Sequence, residues 1–264
     1  MIHYIESTDS TNNLIKRMLS EGKEVDEGYC VYAGYQTAGR GQQGNGWESE
    51  AGKNLTFSVL LKPTHLKATE QFVLTEVITV ALTKTLREIA GENTLTKEVR
   101  IKWPNDIYAG NRKLAGILVE NEINSSGICS AVIGVGLNVN QEKFRSNAPN
   151  PVSLKQLTGN EHSVKHLLEQ IISNLISIYQ LTKIEEGRIR LHEEYMKHLY
   201  RYGEWHWYKQ TEVGIAPINI LRHAEGGFEA KITDVLSNGE IELQTKDNEK
   251  KTYHFKEIKY IIEP

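Results

Sequence analysis

Apolar residues recur at helical spacing in four stretches of the chain and cluster at strand density between them. Leu14, Ile15, Met18 and Leu19 follow a capping Ser10 or Thr11 and stop at Gly22, which predicts a short helix. Leu74, Ile78, Leu82, Leu86 and Ile89 mark one face of a helix over about 70–90, widened by Val73, Val77 and Ala81. Ser163 begins a third helix with the face Leu167, Leu168, Ile171, Ile172, Leu175 and Tyr179. A fourth, over about 185–200, shows Leu191, Tyr195, Met196 and Leu199. Strands rich in aromatic and β-branched residues are expected at 29–36, 54–61, 99–103, 106–109, 113–122 and 128–139. Hairpin-linked strands beside helices make this an α+β fold with a largely antiparallel or mixed sheet. From about Gly203 the pattern turns all-β, with the hairpin signal Asn238-Gly239, so a small barrel is expected over 203–264 after a larger domain over 1–202.

Composition narrows the functional class. With 264 residues and a net charge of -3, the chain lacks the basic excess of a general nucleic-acid binder. No apolar run approaches about 18 residues, so no membrane span is expected, and the N-terminus carries no export signal. Cytoplasmic location follows as the expectation. Cys30 and Cys129 sit in apolar runs without metal spacing and read as buried reduced thiols. Asn54-Leu55-Thr56 and Asn124-Ser125-Ser126 match the glycosylation sequon, read here as chance matches. His162 and His166 are four apart at a helix start and read as a surface pair, not a zinc site; no metal site is expected elsewhere.

The most informative segment is Gly39-Arg40-Gly41-Gln42-Gln43-Gly44-Asn45-Gly46-Trp47. Its glycines let backbone approach an anion closely, and Arg40 offers a guanidinium fork. The spacing also satisfies G-x-G-x-x-G, but a dinucleotide site needs a helix next and an acid about 20 residues on. A strand follows instead, and no Asp or Glu lies between Ala51 and Thr69. The loop therefore reads as a strand–loop–strand phosphate clamp. So glycine-rich a segment is expected to take a fixed shape only around a ligand.

Ser10-Thr11-Asn12-Asn13, the glycine loop, Lys102-Trp103-Pro104-Asn105-Asp106, Lys113-Leu114-Ala115-Gly116-Ile117-Leu118-Val119-Glu120 and Gly134-Val135-Gly136-Leu137-Asn138-Val139 occur in this order. In content, order and spacing these five elements resemble the biotin protein ligases, over nearly the whole chain. The resemblance implies a catalytic domain like that of class II aminoacyl-tRNA synthetases and an SH3-like C-terminal barrel. It also implies a two-step reaction: biotin and ATP give biotinyl-5′-adenylate, which a lysine of a carboxyl carrier protein then attacks. ATP with Mg²⁺ would be co-substrate, biotin the substrate, and no prosthetic group would be held tightly. The partner would be the carrier of an acetyl-CoA or related carboxylase, with neither DNA nor membrane; a homodimer is allowed.

Site residues follow from the matched positions. Lys113 would touch the biotin carboxylate and the α-phosphate, with Arg40 on phosphate. Asp106 would orient the incoming amine and Lys102 would sit near phosphate; alternatively, the two form an ion pair at a turn. Ser10, Thr11, Asn12 and Gln36 would serve the ureido ring, with Gly116, Gly134 and Gly136 packed flat against the ligand and Gly39 also on the biotin side. Gly41, Gly44, Asn45, Trp47, Asn105 and Asn138 would surround ATP, although Trp47 is equally suited to stapling the loop. Gln42, Gln43 and Asn45 stand where many relatives carry further arginines, which implies a weaker hold on the nucleotide. A lipoate ligase is disfavoured by Arg40 in the loop, the Lys102–Asp106 segment and the all-β tail. Regulatory members carry an N-terminal winged helix, for which the nine residues before Ser10 leave no room.

Overall fold

The computed structural model describes residues 1–90, 98–145, 150–211 and 227–262. These form twelve strands and five α-helices. The first sheet holds β1 (Ile2–Thr8), β2 (Cys30–Gln36), β3 (Leu55–Leu61), β4 (Val99–Lys102), β5 (Asp106–Ala109), β6 (Arg112–Asn124) and β7 (Gly127–Leu137). Their order is β1-β2-β3-β7-β6-β5-β4. Every pairing is antiparallel except β1 with β2, so the sheet is mixed.

Each sheet face carries a different layer. Helix α1 (Thr11–Ser20) covers one face, where Ile15 packs with Val31, Leu60 and Val132. The other face supports α2 (Val73–Ala90), α4 (Val164–Leu181) and α5 (Glu185–His198), whose apolar stripes join Leu55, Phe57, Val59 and Leu61 in the main core. Burying a Leu, Ile or Phe side chain there contributes about 1.5–3 kcal/mol. Strand β3 is buried along its whole length, being central and covered on both faces. On the α1 side that leaves Thr56 and Ser58 as hidden polar groups.

The sequence patterns and the structure agree on the long helices and most strands. Ser163 caps α4 by accepting from the His166 N–H. Ser10 also occupies a helix N-cap, but its side chain makes no cap bond. Two elements escape the pattern: β1, and the short α3 (Leu154–Thr158) with its Ser153–Gln156 capping box. Cys30 is buried, and burial pushes its thiol up to about 12; Cys129 is only partly covered, which corrects the expectation for that thiol. His162 bonds Thr158 Oγ1 at 2.8 Å, while His166 is exposed. Asn54, in the first sequon, is buried and bonded to Gln141. Among the described residues no helix is long and apolar enough to cross a membrane.

The second sheet is antiparallel, with β8 (His206–Gln210), β9 (Gly227–Val235), β10 (Ile241–Thr245), β11 (Lys250–Tyr253) and β12 (Ile258–Tyr260) in the order β11-β10-β9-β8-β12. It fits a small SH3-like barrel. The turn between β9 and β10 has Gly239 at φ 92°, a conformation costly for any residue with a Cβ. That turn meets the β4–β5 turn directly: Trp103 Nε1 donates to Gly239 O at 3.0 Å, and the Trp103 ring lies edge-on to Phe255. His192 on α5 bridges the same junction, 2.7 Å from Glu76 and 3.0 Å from Asp234 of β9.

Candidate active site

A cavity of about 590 Å³ opens between the α1 end of the first sheet, the glycine loop and the barrel. Its floor is the paired strands β6 and β7, where Gly116 stands opposite Gly136 and Leu118 opposite Gly134. These glycines clear room on the sheet. A Cβ on Gly134 would overlap the Asn12 side chain, and one on Gly136 would overlap the Trp47 ring. A Cβ on Gly116 would sit 2.9 Å from Trp47 Cζ3. The indole therefore lies across the Gly116–Gly136 pair.

One end of the cavity is a closed chain of polar side chains. Gln36 Oε1 accepts from the Thr11 backbone at 2.7 Å and from its hydroxyl at 3.1 Å. Ser58 Oγ lies 2.6 Å from Thr11 Oγ1 and donates to Asn12 Oδ1 at 2.5 Å. The Asn12 amide in turn donates to Glu120 Oε2 at 2.8 Å, while Lys16 and Arg40 hold Glu120 Oε1 at 2.8 and 3.0 Å. Burial pushes the Glu120 carboxyl up, yet Lys16, Asn12 and Arg40 together hold it below its ordinary value. Such a chain fixes each amide and hydroxyl in one orientation, a preformed set of donors and acceptors for an uncharged polar group.

The opposite end is cationic. Lys113 enters β6 just after the Gly110-Asn111 turn, its backbone tied to Asn150 and Val152. Its Nζ stands 2.8 Å from Asp106 Oδ1 and 5.7 Å from the Trp47 ring centre. Asp106 faces it because β5 and β6 form a hairpin that pairs Asp106 with Gly116. Lys102 is not the partner of Asp106, as the turn-pair alternative would require. Its Nζ lies 5.0 Å from the Tyr108 ring and 4.6 Å from that of Tyr260, which the barrel supplies. Burial holds the Lys102 ammonium below its ordinary pKa, partly offset by Asp106. A cation between two ring faces, without a bonded acceptor among the described residues, is available to an incoming anion.

In the structure the glycine loop is closed by backbone bonds of its own. Trp47 N–H donates to Gly39 O at 2.9 Å, Gly41 N–H to Asn45 O at 2.7 Å, and Arg40 bridges Gly46. Arg40 extends to Asn13 Oδ1 at 2.6 Å and to Glu120, which fixes it beside the polar chain. Gly41, Gln42, Asn45 and Gly46 line the cavity, whereas Gly39 and Gly44 serve the turn itself. Trp47 Nε1 is buried with no hydrogen-bond partner among the described residues.

Two asparagines act through the backbone. Asn105 donates to Ile117 O at 2.5 Å and fastens the β4–β5 turn, whose Trp103–Pro104 peptide is cis, against β6. Asn138 is buried outside the cavity, and its amide donates to Val152 O at 3.1 Å. It supports the strand that carries Lys113 and does not reach the site. Ser58, Glu120 and Tyr260 are the participants that sequence reasoning missed. A hydroxyl and a carboxylate within apolar strands were the only signals for the first two, and nothing local marks Tyr260.

The family model of the biotin/lipoate A/B protein ligase family matches residues 4–138. The chain belongs to that family. It is 32% identical over 230 residues to the bifunctional ligase/repressor BirA of Bacillus subtilis, a match covering 86% of this chain and 65% of the relative. The chain thus spans somewhat under two thirds of that relative's length. It is also 32% identical over 137 residues to the biotin–[acetyl-CoA-carboxylase] ligase of Mycobacterium tuberculosis, covering 52% of this chain and 48% of the relative. The biotin protein ligase from Aquifex aeolicus, solved in complex with biotin and ATP, shares the fold at a TM-score of 0.74 and 22% identity, covering 98% of this chain and 99% of that one.

Proposed function

We propose that this chain joins biotin to a lysine of a biotin carboxyl carrier domain, through biotinyl-5′-adenylate. The observation that carries the reading is one cavity with the uncharged side chains of Thr11, Asn12 and Gln36 at one end and the Lys113–Asp106 pair with Lys102 at the other. Biotin combines an uncharged ureido ring with a carboxylate, and that arrangement suits both parts. The named relatives and the biotin- and ATP-bound neighbour support the same substrates.

The ring binds at Thr11, Asn12 and Gln36, where Ser58 and Glu120 fix the donors. The tail runs over Gly116 and Gly136 beside Trp47 toward Lys113. ATP enters as its magnesium complex with the α-phosphate near Lys113, whose ammonium offsets the repulsion between two approaching anions. A biotin carboxylate oxygen attacks that phosphorus, and the bond to the pyrophosphate oxygen breaks. Arg40 leaves Glu120 for phosphate oxygens, and Lys102 receives the departing charge. In the second step the carrier ε-amine attacks the activated carbonyl and AMP departs. Asp106 orients the amine and accepts its proton while Lys113 stays on phosphate. We take 1–202 as the catalytic part and 203–264 as the barrel that closes the nucleotide end through Tyr260. The buried thiol of Cys30 suits the reducing cytoplasm.

Incubation with biotin, ATP, Mg²⁺ and a carboxyl carrier domain tests this by mass spectrometry. The expected result is one biotinyl increment on the carrier. An increment with lipoate or octanoate and none with biotin would make the chain a lipoate-type ligase.

A further inference from the structure

On the helical side of the first sheet, α2, α4 and α5 enclose a groove of about 710 Å³ that shares no lining residue with the cavity above. Its walls carry Lys84, Arg87, Arg100, Arg190 and Lys197 against two carboxylates, Glu88 and Glu194. Five cations on one groove stand out in a chain whose net charge is -3. Lys197 is paired with Glu194 at 3.3 Å, whereas Lys84, Arg87, Arg100 and Arg190 form no ion pair among the described residues.

Arg87 and Arg100 are the centre of the groove chemically. Arg87 Nη1 stands 2.6 Å from His198 Nδ1. A guanidinium only donates, so Nδ1 accepts and the ring proton lies on Nε2, 2.8 Å from Glu194 Oε1. His198 is therefore neutral, and it positions Arg87 without cancelling its charge. Burial also holds that ring below its ordinary pKa. Arg100 on β4 is half-buried. Burial first, and then the nearby Arg87 cation, hold its guanidinium below its ordinary value, against a smaller opposing pull from Glu204.

Two half-buried guanidiniums lining one groove, neither in an ion pair among the described residues, are unfavourable while it is empty. A doubly charged oxyanion reverses the sign, since each planar fork presents parallel N–H groups to it. Leu181, which is exposed, adds apolar surface beside these cations. We propose that this groove binds a small phosphorylated molecule, its phosphate held by Arg87 and Arg100 and its carbon skeleton lying on the apolar surface. The assignment is independent of the ligase reading, because no residue is common to the two sites.

Inorganic phosphate, titrated into the full chain at constant ionic strength against chloride, supplies the test, with the His198 ring followed by NMR. The expected result is a saturable His198 shift together with a raised His198 pKa, because the bound anion offsets the Arg87 charge. In Arg100→Gln the affinity should fall about ten- to a hundredfold, the value of charge-assisted bonds. In Lys113→Ala it should be unchanged. Without phosphate, Arg100→Gln should melt at the wild-type temperature or above, since a half-buried charge beside the Arg87 cation is removed. A His198 shift that does not saturate, or equal affinity in Arg100→Gln, would overturn the site. So would a melting temperature lowered by the substitution, which would mark Arg100 as structural.

Discussion

The Trp47 indole lies directly on the backbone of Gly136, so close that a Cβ built there would overlap the ring. Backbone on one side and a cavity on the other leave the ring only one way to yield, which is outward from the sheet. Gly136→Ala should therefore displace Trp47 and the loop that carries it. Overpacking of this kind costs about 1–3 kcal/mol. Denaturant unfolding reads that loss, and adenylate formation should fall with it. An alanine variant of wild-type stability with Trp47 still lying on the sheet would contradict the contact.

Lys113 and Asp106 form a 2.8 Å pair on neighbouring strands, with backbone bonds that do not depend on either side chain. Lys113→Ala should keep the fold and lose most adenylate formation. Removal of one transition-state donor commonly costs about 3–4 kcal/mol, or roughly 10²–10³ in rate. Asp106→Asn should separate the half-reactions, sparing the first and slowing transfer to the carrier. Pyrophosphate release by Lys113→Ala near the wild-type rate would remove Lys113 from the chemistry.

The barrel reaches the site through Tyr260, whose ring face lies 4.6 Å from Lys102 Nζ. Its hydroxyl is buried without a partner among the described residues, so only the ring matters to the lysine. Tyr260→Phe should preserve nucleotide kinetics. Tyr260→Ala should raise the KM for ATP roughly two- to thirtyfold, the range of a cation–π contact. Equal effects from both variants would give the role to the hydroxyl instead.

His192 ties the helical layer to the barrel and should make that junction sensitive to pH. Its hydrogen bond to Glu76, aided by Asp234 and opposed by burial, raises its pKa from 6.5 to about 9. Burial raises the Glu76 carboxyl, and the His192 proton offsets that cost. A histidine raised on folding stabilises fully below its unfolded value and loses that contribution as pH rises through the folded one. Melting temperature should thus decline between pH 6.5 and 9 in the wild type and less steeply in His192→Gln. Parallel curves for the two proteins would rule the link out.

Much of this architecture is legible in the chain because local pattern and fold agree. The stripe at Leu74, Ile78, Leu82 and Leu86 reads as a helix and is one, since a single buried face decides both. Strand β1 does not read, because none of its residues is fully buried and its order comes from parallel pairing with β2. At the site, the glycines and the Lys113 motif are visible because close approach and charge restrict residue type. Asn138 misleads for a physical reason: β7 ends at Leu137, so strand alternation no longer sets where the amide points. Ser58 and Glu120 enter only through the packing of α1 on the sheet, and Tyr260 only through barrel docking, each linking positions far apart in sequence.

If this cavity activates a biotin carboxylate on the α-phosphate of ATP, the adenylate forms without any carrier. The protein, biotin and MgATP should yield enzyme-bound biotinyl-5′-adenylate with one pyrophosphate released, both detected by mass spectrometry and coupled assay. Lipoate in place of biotin should yield neither. No adenylate from biotin, or an equal amount from lipoate, would contradict the assignment.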